Sequence, residues 1–156
     1  MTRPHASQGV RAAALALLAR RDFATAELRE RLERRGFERA LIEAAVAELI
    51  EEHALDDQRF AQSYVAYRAG RGEGPLRIAA ELRVRGLAAE LIEAALQGGP
   101  DWHALARDVR RRRFGLQDPT SWGEKSRQAR FLQYRGFSSD HIRAALGADL
   151  NPEDGS

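Results

Sequence analysis

Cysteine is absent from the 156 residues, and lysine and methionine occur once each, at Lys125 and Met1. Without cysteine the chain has no disulfide framework, and its four histidines, His5, His53, His103 and His141, lack the companions of a structural zinc site. The expectation is a cytoplasmic protein that holds no metal and no cofactor. Long apolar runs are missing too. The longest, Ala12 to Ala19, is eight residues closed by Arg20 and Arg21, whereas a membrane span needs about 20. It also fails as a signal peptide, because charge follows where a small-residue cleavage site belongs, so no membrane contact is expected and the mature chain is expected to start near Met1. No stretch alternates apolar and polar residues as a half-buried strand does.

What is present in excess is arginine, 24 residues against the single lysine, although the net charge is only +2. The guanidinium fork suits carboxylates and phosphates, which hints at an anionic partner. Position says more than total. Residues 1–52 carry nine basic and nine acidic side chains, and residues 53–100 six and six, but residues 107–135 carry nine basic against three acidic. Any electrostatic footprint is therefore concentrated in the last third.

The chain aligns with itself at a shift of 50. The windows LERRGFERALIEAAV (32–46), LRVRGLAAELIEAAL (82–96) and LQYRGFSSDHIRAAL (132–146) share six identical columns: Leu32/Leu82/Leu132, Arg35/Arg85/Arg135, Gly36/Gly86/Gly136, Ile42/Ile92/Ile142, Ala44/Ala94/Ala144 and Ala45/Ala95/Ala145. Each copy reads as three helices. First helices are expected over Val10 to Arg21, Asp56 to Ala69 and Asp101 to Phe114, with apolar residues at spacings of three and four. Second helices are expected over Thr25 to Arg35, Pro75 to Arg85 and Trp122 to Arg135, started by Thr25 as an N-cap, by Gly74-Pro75 and by Ser121 in capping-box spacing with Glu124. The fold class is all-α, an elongated array of three tandem three-helix repeats. Its bounds are residues 9–52, 53–100 and 101–148, with a disordered tail at 149–156. The shared Arg-Gly suits a helix end, where glycine takes the left-handed turn and arginine faces the negative dipole end; this capping reading is favoured over a binding role for the three arginines.

Catalysis needs a constellation, and none is legible. Gly70 to Pro75 is glycine-rich, but it lacks the lysine and hydroxyl of a phosphate-binding P-loop and no strand precedes it. Asp56-Asp57 opens a helix, where carboxylates cap more readily than they serve as an acid and base pair. The expectation is that the protein is not an enzyme. A helix-turn-helix reading, with each third helix in a major groove, meets the wrong charge: Glu43, Glu48, Glu51, Glu90 and Glu93 would face phosphates. In the last copy Arg127 and Arg130 stand where the first has Glu27 and Glu30, and the middle copy has Arg77.

Leu55-Asp56-Asp57, Phe60-Ala61, Tyr64-Val65 and Arg68, followed by Gly72, Gly74-Pro75, Arg77-Ile78, Glu81-Leu82 and Gly86, together resemble the central motif of the bacterial RecX family. The resemblance implies a non-catalytic regulator that binds the RecA–DNA filament and suppresses RecA ATP hydrolysis, strand exchange and the coprotease activity behind repressor cleavage. It also implies DNA binding without sequence preference. The partners expected are the RecA filament and DNA, with the chain itself a monomer. Candidate partner- or DNA-binding residues are Arg68, Arg77, Arg107, Arg110, Arg111, Lys125, Arg127 and Arg130. Motif residues expected to be largely structural are Asp56, Asp57, Phe60, Tyr64, Gly74, Ile78, Glu81, Leu82 and Gly86. The alternative is a non-specific single- or double-stranded DNA-binding protein that acts on RecA only indirectly. Arg110 to Arg113 cannot form one patch, because successive helical residues turn by about 100°. Trp102, Leu105 and Val109 set a buried stripe that Arg113 continues, its stem along apolar surface and its head snorkelling out, which leaves Arg107 and Arg111 outward and Arg110 on the flank.

Overall fold

A computed structural model describes residues 3–147, with side chains from residue 8 onward, and these residues form nine helices and no strand. The tail expected at 149–156 lies outside the described residues. The order is α1 (Arg3–Arg20), α2 (Thr25–Arg34), α3 (Arg39–Glu51), α4 (Asp57–Gly70), α5 (Pro75–Val84), α6 (Ala89–Gln97), α7 (Trp102–Phe114), α8 (Trp122–Arg135) and α9 (Ser139–Ala145). Helix α1 starts well before the apolar pattern at Val10, with Pro4 in its first turn, where a missing N–H costs nothing.

Side-chain caps set several of the starts. Asp101 accepts the Ala104 N–H at 3.1 Å, Ser121 the Glu124 N–H at 3.1 Å, and Ser138 the His141 N–H at 3.3 Å. Thr25 is not the N-cap of α2. That position is Ala24, whose own N–H donates to Glu27 Oε1 at 3.1 Å. Thr25 is the first helical residue, and its backbone N–H and hydroxyl both donate to Asp57 Oδ1, at 2.8 and 2.9 Å. A carboxylate distant in sequence thus does the capping that a local hydroxyl was expected to do.

The Arg-Gly turn forms the same way three times. Gly36, Gly86 and Gly136 have φ of +88°, +83° and +101°. The residue after each, Phe37, Leu87 or Phe137, donates its N–H to the carbonyl of Leu32, Leu82 or Leu132 at 3.4, 3.2 and 3.1 Å. This closes orphan carbonyls at the helix end, and a left-handed residue there is least strained as glycine.

The chain forms two compact units that do not follow the repeat periods. One joins the described residues up to Ala61 to Leu82–Ile92, and the other joins Gln62–Glu81 to the described residues from Glu93 onward, so the middle repeat contributes to both. The first unit packs Val10, Ala14 and Leu17 of α1 against Leu28 and Leu32 of α2 and Ile42, Val46 and Leu49 of α3. Within it, Gly86 lies so close to the start of α2 that a Cβ would stand 2.6 Å from Ala26 Cβ, and Arg85 donates to Glu27 at 2.7 Å. The second unit packs Ala106 and Val109 of α7 with Leu132 of α8 and Phe137, Ile142 and Leu146 around α9. Within it the start of α5 meets the end of α8 backbone to backbone: the Gly74 N–H donates to Arg135 O at 2.8 Å, and the Leu76 N–H to Gly136 O at 2.9 Å.

Candidate nucleic-acid interface

Two of the second unit's helices, α7 and α8, carry most of the basic surface. Arg107, Arg111, Arg112 and Arg130 are exposed, Lys125 is half-buried, and none has a hydrogen-bond or ion-pair partner among the described residues. Arg112 was not among the sequence candidates, because the stripe placed it on neither named face. Between the helices, Phe114 and Phe131 stack edge to face, 5.3 Å between centroids. Three guanidinium groups lie over this pair. Arg113 is 5.8 Å from each ring, Arg127 is 5.2 Å from Phe114, and Arg135 is 5.2 Å from Phe131. Arg135 also donates to Arg71 O at 3.4 Å, and Arg71 to the Tyr67 hydroxyl at 3.0 Å. A guanidinium attracted to a ring is restrained in position while N–H groups pointing away from the ring can still donate to a phosphate.

The structure corrects the placement of Arg110. It is not on the flank of α7 but fully buried, at 0% exposure, donating to Gln117 O at 3.1 Å, Gln128 Oε1 at 3.4 Å and Asp118 Oδ1 at 2.9 Å. The buried face of α7 runs Ala106, Val109, Arg110. Counting four residues on from Ala106 gives Arg110, but an alanine left out of the stripe hid that step, and a lone arginine is rarely buried without a designed partner. The Asp118 carboxylate supplies the countercharge and ties the loop after α7 to the helix. Arg113, expected to lay its stem along apolar surface with its head in solvent, is exposed and reaches over the two phenyl rings.

Arg68 and Arg77 also differ from free anion binders. Arg68 pairs with Glu73 at 3.4 Å and Glu81 at 3.6 Å, and Arg77 with the same two carboxylates at 3.2 and 3.7 Å. Glu73 is only 6% exposed. It sits in the glycine-rich stretch Gly70 to Pro75, and nothing in its sequence neighbourhood marks it as buried. Both arginines are therefore largely neutralised within the unit. Arg127 has a looser intramolecular partner, Glu124, at 3.6 Å, with both side chains exposed, a pairing worth little in water.

With this geometry in view, comparison with known proteins is decisive. Residues 11–49, 56–96 and 101–146 match, in order, the first, second and third three-helix domains of RecX. The Regulatory protein RecX of Halorhodospira halophila is 49% identical over 92% of this chain and 89% of its own, and that of Pseudomonas fluorescens is 44% identical over 88% and 89%. The chain belongs to the RecX family. A crystal structure of RecX from Lactobacillus salivarius shares the fold, with a TM-score of 0.81 at 21% identity over 92% of this chain and 96% of that one.

The RecX motif residues of the second domain have structural tasks. Asp56 accepts the Arg59 N–H at 3.1 Å at the start of α4, while Asp57 caps α2. The Tyr64 hydroxyl donates to Glu81, which also faces Arg68 and Arg77. Phe60, Ile78 and Leu82 are buried, and the Arg85 guanidinium lies 6.0 Å from the Phe60 ring. Gly74 and Gly86 stand where a Cβ would meet a neighbour at 2.4 and 2.6 Å. Outside these, His141 packs edge to face on His103 at 4.6 Å, and its Nδ1 accepts the Ser138 N–H at 3.3 Å. Burial and the neighbouring His103 lower the His141 pKa from its ordinary value, against the opposing pull of Asp140 and Asp101. No group of three or more His, Cys, Asp or Glu side chains among the described residues is placed to hold a metal ion. No described helix is long and apolar enough to cross a membrane.

Proposed function

We propose that this protein binds the RecA–DNA filament and lowers RecA ATP hydrolysis, strand exchange and coprotease activity, acting by binding and not by chemistry of its own. The observation that carries this reading is the 49% identity to a protein named Regulatory protein RecX over 92% of the chain. The exposed cations of α7 and α8 add a physical contribution. Arg107, Arg111, Lys125, Arg127 and Arg130 are the donors for DNA phosphates, and such contacts are indifferent to base sequence. Arg68 and Arg77 act chiefly by shaping the middle repeat. The glutamates on the outer faces of α3 and α6, among them Glu43, Glu48, Glu90 and Glu93, are exposed and suit a protein surface better than a nucleic acid.

The second reading, a DNA-binding protein that affects RecA only by competing for strand, is favoured by the same cations, of which Arg107, Arg111, Lys125 and Arg130 have no side-chain partner among the described residues. Titrating the protein into RecA ATPase assays on single-stranded DNA tests the first reading. Inhibition that persists when excess DNA is added supports a filament partner, inhibition that disappears with excess DNA supports competition, and an unchanged rate at saturating protein removes both.

A further inference from the structure

Two aromatic side chains of α8 differ from all the others around them. Phe114 and Phe131 are covered by arginines and by each other, Phe137 lies against His141, and the Trp102 indole donates to Leu96 O at 3.1 Å. Trp122 and Tyr134 are 69% and 82% exposed, and neither has a hydrogen bond, ring–ring contact or cation–π contact from its side chain among the described residues. A single exposed aromatic needs no explanation. These two share one face with the cations. At 100° per residue, Trp122, Ser126, Arg130, Tyr134 and Arg127 fall within an arc of about 140°, opposite the buried Gln128 and Leu132. The twelve helical steps from Trp122 to Tyr134 span about 18 Å, with Arg127 and Arg130 between them.

Exposed rings on either side of guanidinium groups suit an unpaired strand. Every base has a π-face that stacks on an aromatic ring without regard to sequence, and the backbone needs cations spaced along it. Duplex DNA offers only its phosphates to such a face, because its bases are already stacked on one another. We propose that the outer face of α8 binds an unpaired DNA strand, with bases stacked on Trp122 and Tyr134 and phosphates held by Arg127 and Arg130. This rests on the reading that the last repeat meets DNA, and it adds which form of DNA and which side chains select it.

The test compares the full-length parent with the Trp122→Ala/Tyr134→Ala variant, each titrated with oligo(dT) and with a duplex of equal phosphate count, over a series of salt concentrations. Helical circular dichroism confirms that both are folded, which is expected because both side chains are exposed. The parent should bind oligo(dT) with quenching of tryptophan fluorescence, and the variant should lose at least about tenfold in affinity for it. Duplex affinity should change less than about twofold, and the salt slope not at all, because no charge was removed. Equal losses on both forms, or no loss on either, overturn the proposal. If the variant binds oligo(dT) as the parent does but no longer inhibits RecA, the face belongs to a protein contact and the proposal falls. An Arg107→Gln/Arg111→Gln variant separates the two levels. A reduced salt slope there, beside unchanged ring variants, removes stacking but keeps the DNA reading, whereas a parent that binds neither form removes both.

Discussion

Asp57 Oδ1 accepts two hydrogen bonds from Thr25, one from its backbone N–H at 2.8 Å and one from its hydroxyl at 2.9 Å. Fifty residues on, the equivalent pair is Arg107 and Pro75. Proline has no N–H to satisfy, so the helix start that needs a distant carboxylate in the first repeat needs none in the second. Asp57→Ala should cost about 1–2 kcal/mol by urea unfolding. In a Thr25→Pro background, which the extended Ala24 backbone (ψ 149°) accommodates, the same change should cost clearly less. Equal costs in the two backgrounds would show that the two bonds to Thr25 contribute nothing.

The three turn glycines are identical in sequence and should differ in tolerance. Gly36→Ala meets no described atom within 4 Å, so it should cost only the left-handed backbone penalty of about 1–2 kcal/mol. Gly136→Ala would place Cβ 2.4 Å from Arg77 Cβ and 2.8 Å from its backbone nitrogen, adding an overpacking cost of about 1–3 kcal/mol. Gly86→Ala, at 2.6 Å from Ala26 Cβ, belongs with Gly136→Ala. Thermal unfolding of the three variants should rank Gly36→Ala as the mildest.

Buried Arg110 and exposed Arg107 and Arg111 should separate in two kinds of measurement. Asp118→Ala leaves the Arg110 cation facing only the neutral oxygens of Gln117 and Gln128, and should destabilise the fold by about 1–3 kcal/mol without changing the salt slope of DNA binding. Arg107→Gln/Arg111→Gln should leave stability nearly unchanged and lower the single-strand slope by about 0.7 per lost phosphate contact. A slope change in Asp118→Ala with no loss of stability would contradict this division.

His141 should make stability depend on pH. Its folded pKa is lowered, so the unfolded chain binds the proton more readily. The stability is present above the unfolded value of about 6.5 and is lost as pH falls toward the folded pKa. His103 sharpens the effect, while Asp140 and Asp101 weaken it. His141→Gln keeps a side chain able to accept the Ser138 N–H, and should flatten the dependence of the denaturation midpoint on pH below about 6.5. An unchanged pH profile would place the dependence elsewhere.

Much of the fold was legible in the chain because its information is local and repeated. The three-and-four spacing of apolar residues, the Arg-Gly helix ends and the capping of α8 by Ser121 depend on neighbours a few residues away. The motif from Asp56 to Gly86 was specific enough to reveal the family. Tertiary structure decided whatever depends on distant partners. It gave Asp57 to a helix in another repeat, buried Glu73 between two arginines, and turned Arg110 inward where Asp118 and Gln128 meet it. It also left Trp122 and Tyr134 uncovered while placing arginines over Phe114 and Phe131. Periodicity gives the direction of a side chain around its own helix, but whether a charge is paired, or a ring covered, depends on the elements packed against it.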